Sequence, residues 1–107
     1  MENKENLNEE TLKLGGNIEL SGFDSVDRGA MVILKKIVGN YARKMSDGSK
    51  NFGGLKLRVK KVHDSIFELN CQMIDNGKAY ASSVEDRNLF VAVDSGMKKI
   101  LEQTSKL

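Results

Sequence analysis

With one cysteine, Cys71, and one histidine, His63, this chain is short of the residues from which most catalytic and metal sites are built. A lone cysteine excludes an internal disulfide framework and a multi-cysteine zinc site within one chain. His63 falls at the end of a predicted strand, without the nucleophile and orienting group that an imidazole base needs beside it. Cys71 falls on the apolar face of a predicted strand, where a thiol behaves as a small hydrophobe and reacts poorly. Gly15-Gly16 and Gly53-Gly54 lack the further glycines and the lysine spacing of phosphate-binding and dinucleotide-binding loops. The neighbouring carboxylates Glu85 and Asp86 suit the positive end of a helix better than an acid/base pair. The expectation is a protein that is not an enzyme, with no cofactor, no metal and no small-molecule substrate.

Long apolar runs are also missing. The longest, Ala30 to Leu34 and Leu89 to Val93, are far too short to cross a bilayer. The first ten residues, MENKENLNEE, contain no apolar stretch of the kind found in secretory signals, so a cytoplasmic location away from membranes is expected. Aromatic residues make up only 6%, and Phe67 and Tyr80 fall at core positions, which argues against a stacking platform for single-stranded bases. Net charge is only +2, but it is unevenly spread: residues 1–10 sum to −3, leaving +5 on the other 97. An acidic leader before a moderately basic domain is compatible with RNA binding and equally with an ordinary soluble domain.

What is present fits one folded unit. The length of 107 residues provides for one core, and 39% apolar with 30% charged residues is a globular mixture. Residues 1–14 are polar and aperiodic and suggest a flexible acidic leader, ended by Gly15-Gly16, with the folded domain spanning 15–107. Ile18 and Leu20 alternate in a short strand, after which Ser25 or Asp27 can cap a helix. Met31, Leu34, Ile37, Val38, Tyr41 and Met45 recur at helical spacing, although Gly29 and Gly39 each cost about 1 kcal/mol against alanine in a helix interior. SDGSKNFGG (46–54) has the composition of a loop. LKLRVKKVH (55–63) and FELNCQM (67–73) alternate with period two, and Asn76-Gly77 fits a type I′ hairpin turn. That turn sets Met73 opposite Tyr80, Cys71 opposite Ser82 and Leu69 opposite Val84. Leu89, Phe90, Val93, Met97, Ile100 and Leu101 form the stripe of a last helix, with Glu85 and Asp86 at its start. The predicted fold class is α+β: a single β-α-β-β-β-α domain, its mainly antiparallel four-stranded sheet packed on one face under two helices.

The basic residues give the functional lead. Lys35, Lys36, Arg43 and Lys44 fall off the apolar stripe of the first helix, and Lys98 and Lys99 off that of the second, with Lys106 following. Two neighbouring helices on one side of a sheet would gather these cations onto one phosphate-binding surface. A second tier, Lys56, Arg58 and Lys60, lies on the open sheet face. Taken alone, a lysine stripe of this kind is as expected of any solvated face.

The segments from the second predicted strand onward resemble the ribosome hibernation-promoting factor family, also called ribosome-associated inhibitor A. LRVKKV (57–62) is similar to that family's strand of alternating aliphatic and basic residues. NGKAYASSVEDRNLF (76–90) resembles its hairpin turn, following strand and helix start, and NLFVAVD (88–94) its helix motif. The resemblance covers roughly residues 16–106 and rests mostly on 55–103. It implies a short-form factor that binds the small ribosomal subunit and its rRNA in the decoding region and blocks initiation by occlusion. It also implies contacts from basic residues on the two helices, matched here by Lys35, Lys44, Lys99 and Lys106. Lys36, Arg43 and Lys98 join them by geometry alone. Tyr41 and Glu102 depart from the family pattern, standing where basic residues are common. The dimerising domain of long-form members is absent from this chain, so a monomer is expected. Two alternatives stand beside this one: an RNA-binding module of double-stranded-RNA-binding-like shape, and a non-RNA protein-interaction adaptor on the same fold.

Overall fold

Alternation of apolar and polar residues organises the second half of the chain into three long strands. In the computed structural model, which describes residues 11–105 apart from the side chains of His63 and Ser105, these are β3 (Phe52–His63), β4 (Ile66–Asp75) and β5 (Lys78–Asp86). Leu55, Leu57 and Val59 are buried while Lys56, Arg58 and Lys60 between them are exposed. The hairpin register is the one the turn dictates: Met73 opposite Tyr80, Cys71 opposite Ser82, Leu69 opposite Val84. Asn76 and Gly77 take φ of 55° and 82°, the left-handed pair that a type I′ turn requires.

The sheet is larger and more mixed than expected. Five strands lie in the order β1-β2-β3-β4-β5, with β1 (Thr11–Gly15) pairing antiparallel to β2 (Ile18–Ser21) and β2 pairing parallel to β3. The fifth strand corrects the expectation of a structureless leader over residues 11–14, and residues 1–10 lie outside the described ones. Thr11-Leu12-Lys13-Leu14 does alternate, and Leu12 pairs with Leu20 on the apolar face. Gly15, Gly16 and Asn17 all have positive φ and make the connecting turn. The parallel pairing follows from topology: the strands are joined by a long helix, which returns the chain to the same end of the sheet before β3 starts.

That helix, α1, spans Arg28–Gly48 and is capped by Asp27, whose Oδ2 accepts from the Ala30 amide at 3.1 Å. It buries Leu34, Val38, Ala42 and Met45. Burial of Leu34, Val38 and Met45 is worth about 1.5–3 kcal/mol each, which together outweighs helix penalties of about 1 kcal/mol each at Gly29 and Gly39. The expected loop at 46–54 shrinks to residues 49–51, because α1 runs to Gly48 and β3 begins at Phe52. Asp75 holds that short connection by accepting from the Asn51 amide at 3.0 Å.

The last helix, α2, spans Leu89–Ser105. Glu85 and Asp86 belong to the end of β5 and not to the helix start as expected. The capping role passes to Asn88, whose Oδ1 accepts from the amides of Phe90 (2.9 Å) and Val91 (3.2 Å), while Asp86 accepts from the Asn88 amide at 2.8 Å. Ala92, Val93, Met97 and Ile100 face the core. The helix packs tightly on the sheet at Gly96, where a Cβ would come within 2.8 Å of Cys71 Sγ and 3.2 Å of Leu69 Cδ2. Ser82 Oγ donates to the Gly96 carbonyl at 2.9 Å across the same approach. Both helices therefore cover the face that carries Leu57, Cys71 and Tyr80, and the face with Lys56 and Arg58 stays open.

Candidate nucleic-acid interface

Residues three and four apart on a helix share a side, so one interhelical contact assigns the faces of both helices. That contact is made by Tyr41, whose Oη donates to Asp94 Oδ1 at 2.6 Å. Lys98, four residues after Asp94, sits with its Nζ 3.6 Å from Asp94 Oδ2. Lys44, three residues after Tyr41, carries its ammonium 5.5 Å from the centre of the Tyr41 ring, within cation–π range. The result is a continuous chain across the groove between the helices: Lys44, Tyr41, Asp94, Lys98. Partial burial, the hydrogen bond to Asp94 and that carboxylate's charge push the Tyr41 phenol from 10.0 up to about 12. At neutral pH Tyr41 is therefore a donor, and Asp94 the acceptor that it satisfies.

The other cations of the helices fall in three places. Lys36 and Arg43, seven residues apart, are exposed on the outer crest of α1. Lys35 lies on the flank of α1 away from α2, where it lines a groove with Leu12, Leu20 and Arg28. Lys99 is four residues before Gln103, whose Nε2 donates to the Ala81 carbonyl of the edge strand β5 at 2.7 Å. Lys99 thus belongs to the β5 side of α2, away from α1. So the expected set divides: Lys44 and Lys98 approach one another through Tyr41 and Asp94, Lys36 and Arg43 lie on the crest of α1 between Lys44 and Lys35, Lys35 and Lys99 stand on opposite flanks, and Lys106 is outside the described residues.

The second tier is arranged differently. Across the open sheet face Lys56 neighbours Glu19 and Gln72, Arg58 neighbours Ser21 and Asn70, and Lys60 neighbours Glu68. Lys60 Nζ is 3.5 Å from Glu68 Oε1, and Glu85 stands next to Glu68 in the following strand. Cations and carboxylates alternate across the strands here, so this face offers a polyanion no unbroken basic patch.

Two side chains missed by charge counting join the helices across the groove. Tyr41 and Asp94 carry no net attraction for phosphate, yet they hold the groove, and their pairing spans 53 residues of sequence. No local pattern marks it: Asp94 ends the NLFVAVD motif, and Tyr41 enters the sequence reading as part of a helical stripe and as a departure from the family pattern. The outer surface also exposes Val32 (55%), Ile33 (51%) and Val91 (44%), three apolar side chains on the two helices. Cys71 is buried beneath Gly96, and burial pushes its thiol up to about 11, so it is a poor nucleophile at neutral pH. Among the described residues no group of three or more His, Cys, Asp or Glu is placed to hold a metal ion, and no helix is long and apolar enough to cross a membrane. No protein-family model and no curated protein matches this chain.

Proposed function

We propose that this protein binds the small ribosomal subunit as a hibernation or translation-inhibition factor, occluding the decoding region with its helix surface. The observation that supports the reading is the Tyr41–Asp94 hydrogen bond, which joins the two helices where Lys44 and Lys98 flank it. Structured RNA is recognised mainly by its shape and by contacts to phosphate and 2′-hydroxyl groups, which a preformed basic surface supplies without base stacking. A rigid arrangement loses little conformational entropy on binding, so a few charges suffice for a useful affinity. Lys98 changes partner in this mechanism: a backbone phosphate replaces Asp94, while Asp94 keeps the Tyr41 hydroxyl.

Cosedimentation of the purified chain with small subunits at low and moderate salt tests the proposal. The expected result is saturable binding that weakens with salt and weakens further in a Lys44→Ala/Lys98→Ala variant. Absence of binding at every salt concentration rejects the ribosome as partner. The exposure of Val32, Ile33 and Val91 favours a second reading, a protein-interaction adaptor that uses the same helix surface. It would show association insensitive to salt and abolished by Ile33→Asp.

A further inference from the structure

The groove between β1 and α1 combines an apolar floor with a basic rim. Its floor is Leu12 and Met31 over the buried Leu20 and Phe23, and Arg28 and Lys35 stand on its rim. Leu12 is 36% exposed there, an apolar side chain on the core side of the sheet that α1 does not cover. The groove is about 260 Å³, below the roughly 300–1,000 Å³ common for small-molecule sites. With Asp24 also on the rim, its charged lining is Arg28, Lys35 and Asp24, a net +1.

The segment that enters the fold at this groove is complementary to it. Residues 1–10 contain Glu2, Glu5, Glu9 and Glu10 against one lysine, Lys4, and their apolar residues are Met1 and Leu7. Glu10 is two residues from Leu12, and Leu7 is five residues away, a reach of up to roughly 17 Å at about 3.3–3.6 Å per residue. A tethered segment this short faces its own groove at an effective concentration on the order of millimolar.

We propose that residues 1–10 dock on this groove in the same chain, with Leu7 on the Leu12–Met31 floor and the glutamates beside Arg28 and Lys35. The docked segment acts as an internal substitute for phosphate, and release of Lys35 and Arg28 accompanies binding of a polyanion. This second step rests on the RNA-binding reading above, whereas the docking itself does not.

The test uses the full chain. Methyl NMR of the wild type at low salt is compared with Leu7→Ser and with a variant carrying Glu2→Gln, Glu5→Gln, Glu9→Gln and Glu10→Gln. Nuclear Overhauser contacts between the Leu7 methyls and those of Met31 or Leu20, lost in the four-glutamine variant, are expected. Heparin and a small-subunit rRNA fragment serve as polyanion probes, and both should bind the four-glutamine variant about fivefold more tightly or better at low salt, the gap closing as salt rises. Absence of Leu7 contacts to the groove in the wild type overturns the docking. Concentration-dependent contacts, found in a mixed-label sample, overturn it too, because a second copy would then be the occupant. Leu7 contacts together with no RNA affinity in any variant uphold the docking and reject the RNA reading.

Discussion

Replacing Tyr41 by phenylalanine removes a hydroxyl and nothing else, and so isolates the contact between the helices. The hydrogen bond is to a carboxylate and half-buried, and its loss is expected to cost about 1–2 kcal/mol in urea denaturation. The pH dependence has a definite sign. The phenol ionises at about 12 in the folded chain and at 10.0 when unshielded. Its contribution is therefore complete below pH 10 and is lost as pH rises from 10 towards 12, where the unfolded state has already given up the proton. Wild-type stability should fall more steeply than that of Tyr41→Phe over that window, and parallel curves would show that the bond adds nothing. Cys71, raised from 9.0 to about 11, adds a similar decline from pH 9 upward in both proteins, so the comparison between them cancels it.

Within the elements, two glycines of similar sequence context have opposite roles. Gly39 is exposed inside α1, with nothing within 4 Å of a would-be Cβ, so Gly39→Ala should stabilise by about 0.5–1 kcal/mol through helix propensity alone. Gly96 lies inside α2 against Cys71 Sγ, Leu69 Cδ2 and Ser82 Oγ, and Gly96→Ala should destabilise by about 1–3 kcal/mol by forcing the helix off the sheet. Cys71→Ala removes the nearest clashing atom. A double-mutant cycle should therefore give a favourable coupling between Gly96→Ala and Cys71→Ala of about 0.5 kcal/mol or more, and additive effects would refute the close-packing account. Helical periodicity is visible in the sequence, but neither glycine's role is, because the difference lies in what the sheet brings opposite each position.

For the molecule as a whole, the arrangement of cations makes an unequal forecast for two adjacent lysines. Lys98 stands in the groove with Lys44, and Lys99 stands towards β5. If structured RNA seats on the groove, Lys98→Ala should reduce the slope of log affinity against log salt by about 0.7–0.9, one phosphate contact. It also leaves Asp94 without its cation, which adds repulsion towards phosphate. Lys99→Ala should leave the slope nearly unchanged. Equal losses for the two lysines would favour diffuse attraction over a seated complex. Family resemblance alone singles out Lys99 and not Lys98, so this measurement separates what the analogy implies from what the geometry implies.

Much of the architecture was legible without coordinates. Period-two alternation in 55–63 and 67–73, with Asn76-Gly77 between two strands, leaves one register that buries Leu69, Cys71 and Met73 together, and a slip of one residue would expose all three. The helical stripes ending at Met45 and Leu101 were legible for the same reason: a buried face imposes a period. The strand β1 was not, because its alternation spans only Thr11 to Leu14, directly after a polar, charged stretch, and its side chains are mostly exposed, so four residues of period two carry little weight. The parallel pairing of β2 with β3 depends on the course of an intervening helix, which sequence spacing does not encode. Sequence by itself determined the α+β class, the hairpin register and the list of cations available to a polyanion. Tertiary structure alone decided which of those cations share a surface, because the burial of both helices against the sheet sets which of their faces meet, and the Tyr41–Asp94 hydrogen bond marks that meeting.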